Sequence, residues 1–205
     1  HLASSAASDV YKRQATCRCR DGAGILLRME AAPVRYIAGC MTGTSLDGLD
    51  AALVQIRGQG LSMSANYMGM VSQPLGDELA AVLRAMAEGQ AHKPIAFMQA
   101  ARQLGELHAD AVAALCEQHL PAGTALDSVV AHGQTIWHQP AEQLSWQLFD
   151  PWPVARRLGV RVRYDLRQAD LVAGGQGAPV TPTSDWVLYR KAGQKRAIVN
   201  LGGIC

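Results

Sequence analysis

The sequence has no apolar run long enough for a membrane span, no surplus of either charge and no paired cysteine pattern. A transmembrane helix needs about 20 consecutive apolar residues, so a helix of that kind is excluded. With 19 Lys and Arg against 17 Asp and Glu, a net charge of +2 gives no electrostatic case for nucleic acid. Five cysteines, an odd number at irregular spacing, argue for reduced thiols and a cytoplasmic setting rather than a disulfide framework. Cys17 and Cys19 form a lone C-x-C without a second pair, which makes no metal site. Two nucleotide and nucleophile signatures are missing as well. No Gly-Lys-Ser/Thr closes a Walker A loop, and Ser45 is followed two positions on by Asp47 where a nucleophile elbow needs Gly. His1 to Arg28 has neither the basic region nor the apolar core of a signal peptide and reads as a non-native, adapter-like or disordered segment ahead of Met29.

What is present is a chain of 205 residues with 49% hydrophobic content and a mean hydropathy of +0.01. That suits a globular protein with a real core, one large domain or one and a half. Its organising stretch is Gly39 to Asp50, set between the apolar runs Val34 to Ala38 and Ala51 to Ile56, and it reads as a tight turn between two strands. Gly43 and Gly48 let the backbone take positive φ and approach a ligand, while Thr44 and Ser45 offer N–H groups and hydroxyls to phosphate oxygens. Asp47 and Asp50 would repel phosphate directly and make more sense holding a divalent cation, a water or a sugar hydroxyl. The mixture suggests nucleotide plus metal; the competing reading is an ordinary Gly/Asp/Ser hairpin turn.

Downstream, Leu61 to Val71 makes a third extended run, completing a meander. Asp77 to Glu88 places Leu79, Val82, Leu83 and Met86 on one helical face with Gly89 as a stop, and Ile95 to Leu120 spaces Phe97, Ala100, Leu104, Leu107, Ala111 and Leu115 by three and four. Both helices are expected to cover a sheet. Glu106, His108 and Asp110 on the longer one read as a solvated face rather than a metal site. Ser128 to Ala131 is a short buried strand that delivers His132 to Pro140, and ligands bind beyond the carboxyl ends of strands in open α/β sheets. The separation of His132 and His138 matches no zinc pattern. Ser145 to Asp150 is a strand, Pro151 opens a helix to Leu158, Gly159 ends it, and Val160 to Tyr164 is a further strand. It leads into Asp165 to Pro179, where two aspartates, an arginine and a run of glycines read as a catalytic loop that admits substrate close to the backbone. For Asp165 alone, a structural clasp with Arg167 is the competing reading. Arg196 to Ile204 begins a new strand and a phosphate-side turn.

Three blocks in this order, Met41 to Asp50, His132-Gly133-Gln134-Thr135 with His138-Gln139-Pro140, and Asp165-Leu166-Arg167 with Asp170 and Gly174 to Gly177, resemble the anhydro-N-acetylmuramic acid kinases of the sugar kinase, Hsp70 and actin superfamily. Thr42 stands where Ser is more usual, Leu166 where Phe is, and Phe149-Asp150 where the family carries Gly-Asp. The resemblance covers Met29 to Cys205. It implies an α/β fold: an actin-like ATPase (ribonuclease H-like) lobe with a mixed five-stranded sheet flanked by helices, residues 29–195, followed by 196–205 as the first strand of a truncated second lobe. It implies Asp170 as the catalytic carboxylate, with Asp165 the runner-up. Gly43, Thr44, Ser45, Leu46, Asp47, Gly48, Leu49 and Asp50, with Asn200, Gly202 and Gly203, would hold ATP and Mg²⁺, without a protein metal site of their own. His132, Gln134, Thr135, Asp165, Arg167, Gly175 and Gln176 would line the amino-sugar cleft, and Trp137 and His138 would pack or orient the loop. The implied reaction opens 1,6-anhydro-N-acetylmuramic acid with water and phosphorylates the freed C6 oxygen, in cell-wall recycling in the bacterial cytoplasm. The family often forms homodimers, and neither nucleic acid nor membrane is an implied partner. Two alternatives stay open: an inactive ligand-binding piece of such a kinase, and a kinase of the same fold for another sugar.

Overall fold

A computed structural model describes residues 34–43 and 45–199. Its main sheet starts with β1 (Val34–Thr42), which pairs antiparallel with β2 (Gly48–Arg57), and β2 pairs antiparallel with β3 (Ser64–Pro74). On β2, buried Leu49, Ala51 and Leu53 alternate with more accessible neighbours, the period of two expected of a strand with one covered face. Helix α1 (Asp77–Ala87) carries Asp77 and Glu78 in its first turn, where the helix dipole favours negative charge. Helix α2 (Pro94–His119) begins on proline and buries a stripe at Ala100, Leu104, His108, Ala111, Val112 and Leu115. Strand β4 (Ser128–Ala131) then lies parallel to β1. A hairpin of β5 (Gln134–Gln139) and β6 (Leu144–Leu148) forms its own two-stranded sheet. After helix α3 (Trp152–Leu158), β7 (Arg161–Arg163) adds parallel to β4, and the short helices α4 (Gln168–Val172) and α5 (Pro182–Tyr189) follow.

The sheet order is β3-β2-β1-β4-β7. This mixed five-stranded sheet flanked by helices is the α/β arrangement of an actin-like ATPase lobe. Two apolar clusters hold it. In the first, Ala38, Cys40, Leu49, Ala51, Leu53, Val129 and Ala131 of the sheet pack against Ala109, Ala111, Val112 and Leu115 of α2 and Val154 of α3. In the second, Leu83 and Met86 of α1 and Ala100 and Leu104 of α2 meet Ile136 and Leu148 of the hairpin, and Leu46 and Leu75 join them. The helix α2 serves both. Cys40 and Cys116 are free thiols, and burial pushes that of Cys40 up to about 12.

Four local expectations are corrected. The turn read over Gly39 to Asp50 is shorter, because the ladder continues through Gly39↔Ala52 to Thr42↔Leu49 and leaves only residues 43–47 between the strands. His108 does not share the solvated face of Glu106 and Asp110: it falls four residues after Leu104 on the buried stripe and has no exposed surface. Its Nδ1 donates to the Leu104 carbonyl at 2.7 Å and its ring lies 4.7 Å from that of Phe149. The block 165–179 is not all loop, since α4 forms within it, and Arg196 to Val199 is not a strand. The rest of that expected strand, Asn200 to Ile204, lies outside the described residues, as does Thr44.

Two outcomes follow from the packing. A Cβ at Gly105 on α2 would run into the backbone carbonyl of Asp150 and lie 3.0 Å from the Pro153 ring, whereas one at Gly39 meets nothing. Overpacking costs about 1–3 kcal/mol, and a chain of this size loses about 2–4 °C per kcal/mol. Gly105→Ala should therefore lower the thermal midpoint by roughly 3–10 °C, with Gly39→Ala unchanged or slightly raised, as read by calorimetry. Burial pushes the His108 imidazole down to about 4 from 6.5. The folded protein keeps it neutral while the unfolded chain takes up a proton below 6.5, so the stability it contributes is complete above 6.5 and is lost as pH falls toward 4. At 1.36 kcal/mol per unit, the loss approaches roughly 3 kcal/mol. Urea unfolding at both pH values should show a smaller acid loss in His108→Leu than in the wild type.

Candidate functional site

The three parallel strands end on one edge. Cys40 of β1 lies opposite Ala131 of β4, and Val130 lies opposite Arg163 of β7, so the segments that leave Thr42, Ala131 and Arg163 emerge side by side. Such an edge, beyond the carboxyl ends of parallel strands, is where α/β sheets place ligands.

From β1 comes the turn 43–47. The Leu46 N–H donates to the Gly43 carbonyl at 3.2 Å, and Leu46 holds φ +58°, a left-handed conformation that leucine adopts at a cost of about 1–2 kcal/mol. Burial of its side chain in the second cluster offsets that cost. The Ser45 hydroxyl donates to Asp47 Oδ1 at 2.8 Å and holds the exposed Asp47 carboxyl below the usual carboxylate range. Gly48, Leu49 and Asp50 belong to β2 instead. Gly48 fits closely against the Gln73 carbonyl, the Leu49 side chain is wholly buried in the core, and Asp50 accepts from the Ser72 hydroxyl at 2.5 Å on the neighbouring strand.

From β4 come His132 and Gly133. The His132 N–H extends the ladder to the Cys40 carbonyl at 3.0 Å, and its side chain is only 7% exposed. Its Nδ1 donates to the Gly133 carbonyl at 2.8 Å. The same carbonyl accepts from the Thr42 hydroxyl at 2.8 Å, and Gly133 takes φ +71°, which favours glycine. Gln134 is buried and its Oε1 has no partner among the described residues. Thr135 Oγ1 accepts from Gln147 Nε2 at 3.3 Å, Trp137 pairs across the hairpin with Trp146, and His138 Nδ1 lies 3.0 Å from the Ser145 hydroxyl.

From β7 come Asp165, Arg167 and Asp170. The clasp between Asp165 and Arg167 is absent among the described residues. Asp165 sits exposed at φ +55°, where the chain leaves the strand, and the guanidinium turns inward to other acceptors. Arg167 Nε and Nη2 lie 3.0 and 2.8 Å from His132 Nε2, and Nη1 donates to the Gly177 carbonyl at 2.8 Å. With Nε2 facing a guanidinium, His132 is the neutral Nδ1–H tautomer. Burial depresses its pKa first and the Arg167 charge adds to that, against the Gly133 bond. Burial also lowers that of Arg167. Asp170 lies in the first turn of α4, exposed, and its Oδ2 accepts from the Gly177 N–H at 2.8 Å. Gly175 is bare where a Cβ would collide with the Asp170 carboxylate, so this glycine makes room for the aspartate itself. Gln176, between Gly175 and Gly177 in the chain, is exposed.

The edge thus brings together Asp47, His132, Gln134, Arg167, Asp170, Gly175 and Gln176 on three adjoining segments, and it leaves Leu49 and Asp50 on the sheet. Asn200, Gly202 and Gly203 lie outside the described residues. Sequence reasoning missed Thr42 and Gly177 as parts of the site; the signal for Thr42 was a hydroxyl at the end of a buried strand. Among the described residues no three His, Cys, Asp or Glu side chains form a metal-binding group. Asp47 is an exposed carboxylate of the kind that shares a magnesium ion with phosphate and water oxygens.

Comparison with known proteins gives the site a family. The family model described as Anhydro-N-acetylmuramic acid kinase matches residues 34–205. A Rhizobium etli protein named anhydro-N-acetylmuramic acid kinase is 37% identical over 183 residues, covering 83% of this chain and 48% of that protein. One of the same name from Bacillus thuringiensis (strain Al Hakam) is 34% identical over 176 residues, covering 83% of this chain and 46% of its own length. The chain spans about half the length of the curated relatives it matches. With a matching family model over most of its residues and the three loops gathered on one sheet edge, the chain belongs to the anhydro-N-acetylmuramic acid kinase family.

Proposed function

We propose that this chain supplies one lobe of an ATP-dependent kinase that opens 1,6-anhydro-N-acetylmuramic acid with water and phosphorylates it to N-acetylmuramic acid 6-phosphate, in peptidoglycan recycling in the bacterial cytoplasm. The observation that carries the reading is Asp170. It is an exposed carboxylate held by the Gly177 N–H, on the segment that Arg167 ties to His132, in a chain of this family.

Asp170 takes a proton from the water that attacks the anomeric carbon, the bond from that carbon to O6 breaks, and O6 attacks the γ-phosphorus as the bond to ADP breaks. Gln134 Oε1, buried and without a partner among the described residues, accepts from a hydroxyl or amide of the sugar, because an acceptor left unpaired in that setting is costly. Arg167, Thr135, Asp165 and Gln176, with the backbone at Gly175, would complete the sugar-facing set. The turn 43–47 presents backbone N–H groups and Ser45 to phosphate oxygens, and Asp47 would hold Mg²⁺. Bound Mg²⁺–ATP supplies the phosphoryl group and neutralises its charge. Asn200, Gly202 and Gly203 belong to the nucleotide side of this reading.

The test is made on the gene product that joins this chain to the second half found in its relatives. Asp170→Asn should lower kcat by roughly 10²–10⁴-fold, the range for a lost general base, while circular dichroism and the thermal midpoint stay as in the wild type. Wild-type turnover in that variant removes Asp170 from the mechanism. In a substrate panel the anhydro sugar should be phosphorylated at least about tenfold faster than N-acetylglucosamine or the already open N-acetylmuramic acid, since the site is built to couple ring opening to transfer. Equal or faster use of an open sugar rejects the substrate assignment.

A further inference from the structure

We propose that Thr42, His132 and Arg167 are positioning residues that set the Asp170 carboxylate through one continuous run of hydrogen bonds across the three loops. The run starts at the Thr42 hydroxyl, 3% exposed, which donates to the Gly133 carbonyl. That oxygen also accepts from His132 Nδ1, which fixes the tautomer and leaves Nε2 bare. Nε2 receives the Nε and Nη2 edge of Arg167, and this sets the direction in which Nη1 reaches the Gly177 carbonyl. Gly177 passes the constraint on, because its own N–H holds Asp170 Oδ2.

Gly177 is a suitable relay. It is buried, it takes φ +67°, and a Cβ there would lie 2.8 Å from Leu171, the wholly buried residue of α4. Held by Arg167 at its carbonyl and by Asp170 at its nitrogen, it has little freedom to turn. Bonds in a shielded chain polarise one another, so loss at one end is felt beyond the neighbouring group. The network also reassigns His132. Both ring nitrogens are engaged within the protein, so its ring offers nothing to a sugar hydroxyl and acts through Arg167 instead. The catalytic consequence rests on the kinase reading above, whereas the network does not.

The test is amide hydrogen exchange by NMR on the 205-residue chain, comparing Thr42→Val, Thr42→Ser and Arg167→Lys with the wild type. Exchange at the Gly177 N–H should quicken about tenfold or more in Thr42→Val and Arg167→Lys and stay within about twofold in Thr42→Ser, which keeps the hydroxyl. The Val129 N–H, on strand β4 between β1 and β7, should be unaffected. Unchanged Gly177 exchange in Thr42→Val overturns the proposal; so does equal acceleration at Val129, which makes Thr42 a support of the whole fold. In the full-length kinase Thr42→Val should lower kcat about tenfold at unchanged KM, and Thr42→Ser should restore it. If Gly177 responds as expected and the wild-type kinase turns over no anhydro sugar, the network stands and the functional reading falls.

Discussion

Four residues decide where the loops of this protein meet. Ser128 to Ala131 form the middle of the parallel ladder, with β1 on one side and β7 on the other, and the register of each pairing is fixed over three or four residues. Because a slip by one residue would send Val129 and Ala131 from the core face to the opposite one, burial of those two side chains holds the register. The register in turn places the ends of three strands level with one another. Every bond between the loops presupposes that alignment.

The core organises the same edge from below. Helix α2 belongs to both apolar clusters, so the sheet and the hairpin are oriented through one rigid rod. Leu46 extends the second cluster up into the first turn, where an unfavourable backbone angle is kept in place by an apolar side chain. The charged groups of the edge are arranged to suit. Asp47 and Asp170 keep exposed carboxylates, while Arg167 and His132 are drawn inward and satisfied by one another.

Much of this was readable in the residues. The helices at Asp77 and Pro94, the strand at Ser128 and the short helix closed by Gly159 follow from periodicity and from proline and glycine punctuation, which act locally. The three polar blocks were legible as breaks after apolar runs, although Gln134–Gln139 of the second is strand and Gln168–Val172 of the third is helix. What was hidden depends on contacts between distant segments. Arg167 lies two residues from Asp165 and invites an ion pair, yet it turns to His132, 35 residues away, because only the ladder brings that ring close. The burial of His108 was concealed by its charged neighbours at positions 106 and 110, since polarity along a helix identifies a face only when the apolar stripe is counted with it. Gly175 had a plausible local purpose as an opening for substrate, and its use by Asp170 needed the fold of α4.

The hairpin β5–β6 shares no ladder with the main sheet and is fastened to the helices largely through Ile136 and Leu148. Apolar contact is not directional and weakens on cooling, whereas a strand ladder constrains every residue along its length. The edge therefore has two walls of different mechanical character. His132 follows directly on the β4 ladder, whereas Gln134 and Thr135 sit on a hairpin held to the helices by apolar side chains, so a loss of packing under Ile136 or Leu148 reaches the second wall before the first.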